Sequence, residues 1–305
     1  MIGAFYIDDI DIYARYGVVI TSGGYNDLLC FPALKEPDAN DWPEEDGVEV
    51  DLAAPVLEAK EVTISFACDR IDASDFIYMV SQPGYHTLRI TELAKDWRLR
   101  LLTQTVNKDY NRAVTFSLKF ADDFPGRSDD YTAVSGSGLT LPVSEYEIDD
   151  VPVSEYGIEI VGGWDDLLKS PTVKQNLTRS FATSDGQLYD ADHVVFNSKE
   201  TTLKCCLSAV DLAKFWECYT AFFNDLVQPD ERRFYWDYTS EEYPCYYKKS
   251  SGFKVLSLAD RIVVEFNLTL VFTVFRIGET EYVLANELGQ ILVLDEDTEI
   301  DMKAI

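Results

Sequence analysis

The feature that most constrains this chain is that its plan is written twice. Ile7-Asp8-Asp9-Ile10 and Ile148-Asp149-Asp150-Val151 open two segments that then run in step. Tyr16-Gly17-Val18 answers to Tyr156-Gly157-Ile158, and Gly23-Gly24-Tyr25-Asn26-Asp27-Leu28-Leu29 to Gly162-Gly163-Trp164-Asp165-Asp166-Leu167-Leu168. From Gly23 onward the offset is a constant 139 residues. It carries Pro32 onto Pro171, Lys35 onto Lys174, Asp46-Gly47 onto Asp185-Gly186 and Lys60-Glu61 onto Lys199-Glu200. A fixed period held over dozens of residues marks a duplicated structural unit. The matched residue types serve backbone geometry. Glycine reaches positive φ or lets backbone approach closely, so Gly17, Gly157, Gly47 and Gly186 read as structural turn positions, and Asp-Gly suits a tight hairpin turn.

The hydrophobic pattern inside each unit is that of half-buried strands around one helix. Val62, Ile64 and Phe66 alternate with Thr63 and Ser65, and Leu203, Cys205 and Leu207 keep the same phase in the second unit. A helix signal follows each strand: Asp72 or Ser74 ahead of Phe76, Ile77 and Val80, and Ser208 to Asp211 as a capping box ahead of Leu212. Leu212, Phe215, Trp216, Tyr219, Phe222 and Phe223 then share one helical face and read as core. Each unit closes on another alternating strand, Val114 to Phe120 and Val264 to Phe272, with Thr115, Lys119, Glu265 and Asn267 turned outward. Between helix and closing strand lie shorter strand segments around Leu88–Ile90, Trp97–Leu101, Arg233–Trp236 and Tyr243–Tyr247.

The expected fold is therefore mainly β, of the α+β class: two tandem homologous β-sandwich or partly open barrel domains of six or seven strands, each with one helix, plus a C-terminal β-hairpin. The first copy spans 1–125. The Gly-, Ser- and Asp-rich 126–143, with Ser135-Gly-Ser-Gly138, reads as a flexible linker, and the second copy spans 144–275. In 276–305, Tyr282–Leu284 and Ile291–Leu294 flank Asn286–Gly289 as a hairpin ahead of an acidic tail.

Composition excludes several functions. Lys and Arg number 26 against 54 Asp and Glu, a formal charge of -28 that repels a phosphate backbone and an anionic membrane surface. So much acid makes either a well-solvated surface or an acidic face or channel. No stretch reaches the ~18 apolar residues of a membrane span, and the N-terminus lacks a basic region followed by an apolar one, so cytoplasmic synthesis is expected. The six cysteines, Cys30, Cys68, Cys205, Cys206, Cys218 and Cys245, have no Cys-x-x-Cys spacing and read as reduced, buried small hydrophobes.

Nothing local carries chemistry. His86 and His193, the two histidines, sit in no catalytic motif, and nucleophile-elbow, phosphate-loop, dinucleotide and zinc-protease patterns are absent. Two acidic clusters could attract a hard cation: Asp38, Asn40, Asp41, Glu44, Glu45 and Asp46, and the tail Asp295, Asp297, Glu299 and Asp301. The tail has Ile300 where a calcium loop needs glycine. A solvated loop and a charged edge that discourages strand pairing are the preferred readings. No catalytic residue, metal ligand or cofactor is assigned, and the chain reads as a non-enzyme.

The succession Ile7-Asp-Asp-Ile-Asp-Ile12, Tyr16-Gly-Val, a variable loop ending in Asp46-Gly47, Lys60-Glu-Val-Thr-Ile-Ser-Phe66 and a helix resembles the N-terminal, tail-tube-like domain of phage distal tail proteins. Ile148 to Leu207 shows the same succession. The resemblance implies a virion structural protein, made in the bacterial cytoplasm and built into a phage or prophage-derived tail. Its domains would join side by side into a ring around a channel, with DNA as passing cargo and other tail or baseplate proteins as partners. Two tube-like copies in one chain resemble a baseplate hub equally, where three chains supply six pseudo-equivalent domains, so trimer and hexamer both stay open. An acidic lumen would keep sliding DNA from sticking. The alternative is a carbohydrate- or protein-binding β module that uses exposed aromatics such as Trp42, Trp164 and Trp236; such a site needs Trp and polar groups together in a cleft.

Overall fold

The computed structural model describes residues 3–69, 73–110, 113–125, 133–175, 178–190, 192–277, 293–294 and 298–299. In chain order the first unit carries β1 (Phe5–Ile7), β2 (Ile10–Asp11), β3 (Val19–Ile20), β4 (Ala39–Asn40), β5 (Glu49–Val50), β6 (Lys60–Asp69), β7 (His86–Ile90), β8 (Lys95–Tyr110) and β9 (Ala113–Asp122). The second repeats them as β10 (Tyr146–Ile148), β11 (Val151–Pro152), β12 (Ile158–Gly162), β13 (Thr178–Ser180), β14 (Gln187–Tyr189), β15 (Lys199–Ala209), β16 (Arg232–Trp236), β17 (Glu241–Leu258) and β18 (Ile262–Phe272). Seven strands of each unit form one antiparallel sheet, in the orders β2-β1-β7-β8-β9-β6-β3 and β11-β10-β16-β17-β18-β15-β12. The orders correspond strand for strand, so the duplication is one of topology as well as of sequence. At 44% strand and 17% helix, the chain is mainly β.

The alternation seen in the sequence is what buries one face of these sheets. Val62, Ile64, Phe66, Val114, Phe116, Leu118 and Phe120 are all inside, as are Leu203, Cys205, Leu207, Val264, Phe266, Leu268, Leu270 and Phe272. Helix α2 (Ala73–Val80) packs Phe76 against Phe66 and Phe116 at centroid distances of 5.2 and 5.9 Å. Helix α4 (Leu212–Leu226) places Phe222 and Phe223 over Phe266 at 6.4 and 5.9 Å. Short helices α1 (Ile12–Tyr16) and α3 (Trp164–Leu167) add to the single helix expected of each unit.

The structure moves four details of the sequence reading. The cap of α4 is Asp211, whose carboxylate accepts from the Lys214 N–H, whereas Ser208 still belongs to β15. The short segments expected between helix and closing strand are parts of single strands of 16 and 18 residues, β8 and β17. Each pairs its first residues with the strand before and the rest with the strand after, with one bulge in the same place, at Leu101/Thr103 and at Tyr247/Lys249. The tight hairpin turns fall at Asp8-Asp9 and Asp149-Asp150, not at Asp-Gly. All four aspartates have positive φ, the backbone of a two-residue turn matched to strand twist. Asp8 and Asp149 meet that strain by accepting from the Thr87 and Arg233 N–H groups, 2.8 Å each. Finally, Ser135–Gly138 is pinned to the second unit: Ser137 is buried and its carbonyl accepts from Val210 N at 3.0 Å.

Gly17 ends α1, and Gly157 ends a one-turn 3-10 helix over Val153–Tyr156, both in the left-handed region, φ +61° and +73°. Val293–Leu294 pairs with Thr298–Glu299 in an antiparallel two-strand ladder. Tyr282–Leu284, Asn286–Gly289, Ile291, Asp295, Asp297, Asp301 and Asp72 lie outside the described residues.

Candidate assembly interface

A candidate site lies where the two halves of the chain meet. In each unit, a lysine at the start of the long core strand, half-buried at Lys60 and buried at Lys199, ties down the chain that follows the third strand. Lys60 Nζ donates to the Leu28 carbonyl at 2.6 Å; Lys199 Nζ donates to the Leu167 and Lys169 carbonyls at 2.8 and 2.6 Å. Orphan carbonyls at a helical C-terminus attract a cation, and burial pulls both ammonium groups down to about 8. From these anchors an arm leaves each unit: residues 29–57 in the first, 168–196 in the second. Each closes on itself through one isolated bridge, Leu34 to Leu57 and Val173 to Phe196.

The first arm lies across the second unit. Leu34 N donates to the Lys248 carbonyl at the bulge of β17, at 2.9 Å, and Val48 N to Thr273 O at 3.0 Å. Phe31 stacks on Phe223 at 4.5 Å, its N–H donates to Ser250 Oγ, and the Tyr247 hydroxyl donates to Pro32 O. Tyr219, buried on α4, donates its hydroxyl to Leu29 O at 2.7 Å, and burial holds that hydroxyl's pKa well above the usual tyrosine range. The α4 face that the sequence assigns to core is thus shared: Phe215 and Phe222 fill the second unit, while Trp216 and Tyr219 reach the first. Trp216 Nε1 donates to Leu93 O at 2.8 Å, under the Lys95 ammonium 4.0 Å above its ring, and burial lowers the Lys95 pKa.

Lys174 closes the junction. Its side chain is 1% exposed, and its Nζ donates to Asp41 Oδ1, Trp42 O and Gly47 O at 2.5, 2.8 and 2.7 Å. All three ammonium donors are used, two on main-chain carbonyls that only one backbone course presents together. Asp46 accepts from Phe196 N at 2.7 Å and pairs with Arg276 at 2.8 Å. Gly47 has φ +70°, and a Cβ there would sit 1.7 Å from the Thr273 carbonyl oxygen. The acidic loop read as solvated is therefore in part a grip on the second unit: Asp41 and Asp46 hold Lys174, Phe196 and Arg276. Gly186, at the matched position, has φ +81° with open space around it.

The remaining candidates are scattered. Trp42 is 49% exposed and bonds Glu49 through Nε1; Trp164 is 43% exposed; Trp236, expected at the surface, is 4% exposed beneath Tyr146 and Tyr238. His86 is buried on Asp8, and His193 is at the surface beside Asp190. Among the described residues, no group of three or more His, Cys, Asp or Glu is placed to hold a metal ion. Cys205, Cys218 and Cys245 are buried and free, with thiol pKa values raised by desolvation, and Cys30 and Cys206 are half-buried. A groove of about 490 Å³ in the second unit brings Trp164, Leu168, Trp236 and Tyr238 together beside Glu145 and Glu159. Its counterpart in the first unit, about 330 Å³, holds Tyr25 and Ile90 at the matched places and is lined in addition by Val255, which reaches it from the second unit.

No helix among the described residues is long and apolar enough to cross a membrane. No family model matches the chain, and no curated protein does. Among solved structures, the chain has a likeness to the crystal structure of the SPP1 Dit (gp 19.1) protein, described as a paradigm of the hub adsorption apparatus in phages that infect Gram-positive bacteria. The identity is 10% and the TM-score 0.30, over 88% of this chain and 98% of that one.

Proposed function

We propose that the chain is a structural subunit of a phage or phage-derived tail, of distal-tail or baseplate-hub type, that forms a ring of three or six molecules around a DNA channel. The observation that carries this is the asymmetry of the internal junction. The first unit contributes its arm and the second its long strand and helix, so two homologous domains meet head to tail rather than face to face. A heterologous contact between like units repeats outward from both ends of the pair. The charge of -28 fits a lumen past which DNA slides without being held. On this reading the chain has no catalytic role and no cofactor, and its partners are copies of itself and other tail or baseplate proteins. It is made in the bacterial cytoplasm and ends in the assembled tail.

The second reading, a carbohydrate- or protein-binding β module without catalysis, has the aromatic groove of Trp164 and Tyr238 in its favour. Light scattering across concentration, with negative-stain imaging of the largest species, tests the first reading. Closed rings of three or six chains are expected, and a strict monomer up to the highest attainable concentration refutes self-assembly.

A further inference from the structure

The two arms occupy the same place in their units and meet opposite fates. Leu29 is fully buried under Tyr219, whereas Leu168, its counterpart, is 49% exposed; Leu34 is 8% exposed against 39% for Val173. The hairpin of β13 and β14 ends the second arm with Leu188 and Tyr189 at 65% and 41% exposure. The lysines at the arm bases invert in the opposite sense: Lys174 is buried in the first arm's 41–47 loop, while Lys35 is exposed. The loop matched to 41–47 is 180–186, whose Gly186 has the positive φ of Gly47 and open space where Gly47 meets Thr273. On the receiving side, the bulge of β17 that accepts the Leu34 N–H corresponds to the bulge of β8 at Leu102, a residue 37% exposed. The groove that Val255 helps line in the first unit has its counterpart open beside Trp164.

We infer that the second arm receives the first unit of another molecule of this same chain, as the first arm receives the second unit within the molecule. Lys35 of one molecule enters the 180–186 loop of the next. Leu168 and Val173 of that next molecule are covered by the β8 strand at Leu102 of the first. This deepens the assembly reading and rests on it. A second copy of the chain is the occupant because the surface continues an interface already formed inside the molecule, by the same fold, at matched residues. Helix α2 is shorter than α4, 8 residues against 15, so the contact centres on the β8 bulge and the Lys35 insertion.

The test uses two full-length variants, Lys35→Glu and Leu168→Glu, each altering one exposed residue on one face only, with circular dichroism to verify that the fold is kept. Each alone is expected to lose at least ~30-fold in association by analytical ultracentrifugation, since one reverses the charge of the inserted side chain and the other sets a carboxylate in the apolar contact. A mixture of the two retains one intact pairing, the first unit of L168E on the second arm of K35E. It is expected to form a 1:1 heterodimer and nothing larger. Variants that assemble like the wild-type chain overturn the inference while leaving the assembly reading standing, and so does a mixture that stays monomeric. A wild-type chain that stays monomeric overturns both, and saturable quenching of its tryptophans by an oligosaccharide would assign the groove to a ligand.

Discussion

Lys174→Met separates the junction from the two cores it joins. The substitution keeps the length and apolar stem of the side chain and removes the ammonium whose three donors reach Asp41, Trp42 O and Gly47 O. A hydrogen bond with a charged donor contributes about 1.5–3 kcal/mol net, and a buried acceptor left bare costs about 1–3 kcal/mol. These figures overlap rather than add, and the Asp41 side chain is 60% exposed, so its share is screened by water. Weighted to the two carbonyls, the loss comes to about 3–4 kcal/mol. The assay is equilibrium urea unfolding in dilute, monomeric conditions, followed by tryptophan fluorescence and far-ultraviolet dichroism. The Lys174→Met chain should unfold at lower urea, with the two units parting company. Lys35→Met makes the same chemical change at the matched position, where the side chain is exposed, and should shift stability by less than about 0.5 kcal/mol. A Lys174→Met loss under about 1 kcal/mol, or equal losses for the two variants, would refute the account of Lys174 as the lock.

Gly47→Ala forces a methyl against the Thr273 carbonyl at positive φ, whereas Gly186→Ala meets only the backbone cost of about 1–2 kcal/mol. Thermal unfolding of the monomer should show the first several kcal/mol worse than the second. Lys60 and Lys199 supply a pH dependence. Their folded pKa is about 8 against 10.5 when unfolded, so between these values the unfolded chain binds more protons and stability rises with pH. Denaturation midpoints of the wild-type chain should gain from this between pH 8 and 10, by roughly 1–3 kcal/mol, and Lys199→Met should flatten the rise. An equal slope in Lys199→Met removes the assignment.

Much of this architecture is legible in local signals. The strands of Val62 to Phe66 and Leu203 to Leu207, the helices after them and the left-handed turns at Gly17 and Gly157 follow from periodicity and from glycine's access to positive φ, which need no distant partner. The capping of α4 was legible in kind but not in place, because Ser208 and Asp211 offer the same oxygen acceptor three residues apart and the strand's pairing decides where the helix can start. Asp8-Asp9 was masked by its chemistry: aspartate enters the left-handed region less readily than glycine, and what favours it here is the Thr87 N–H on β7 that the Asp8 carboxylate accepts from, a partner far along the chain.

By itself the sequence determined that there are two like units, where their alternating core strands and main helices fall, and that they carry a large negative charge. It does not distinguish Lys35 from Lys174, Leu29 from Leu168, Gly47 from Gly186, or a surface Trp236 from the buried one. The members of each duplicated pair have equivalent local surroundings, and Trp236 sits in a short strand whose cover comes from Tyr146 and Tyr238. What separates them is which distant surface lies opposite once the chain has folded back on itself. Burial, hydrogen bonding and desolvation are set by that partner, not by neighbours along the chain. Tertiary structure therefore decided which lysine became a lock inside the molecule, and which was left outside.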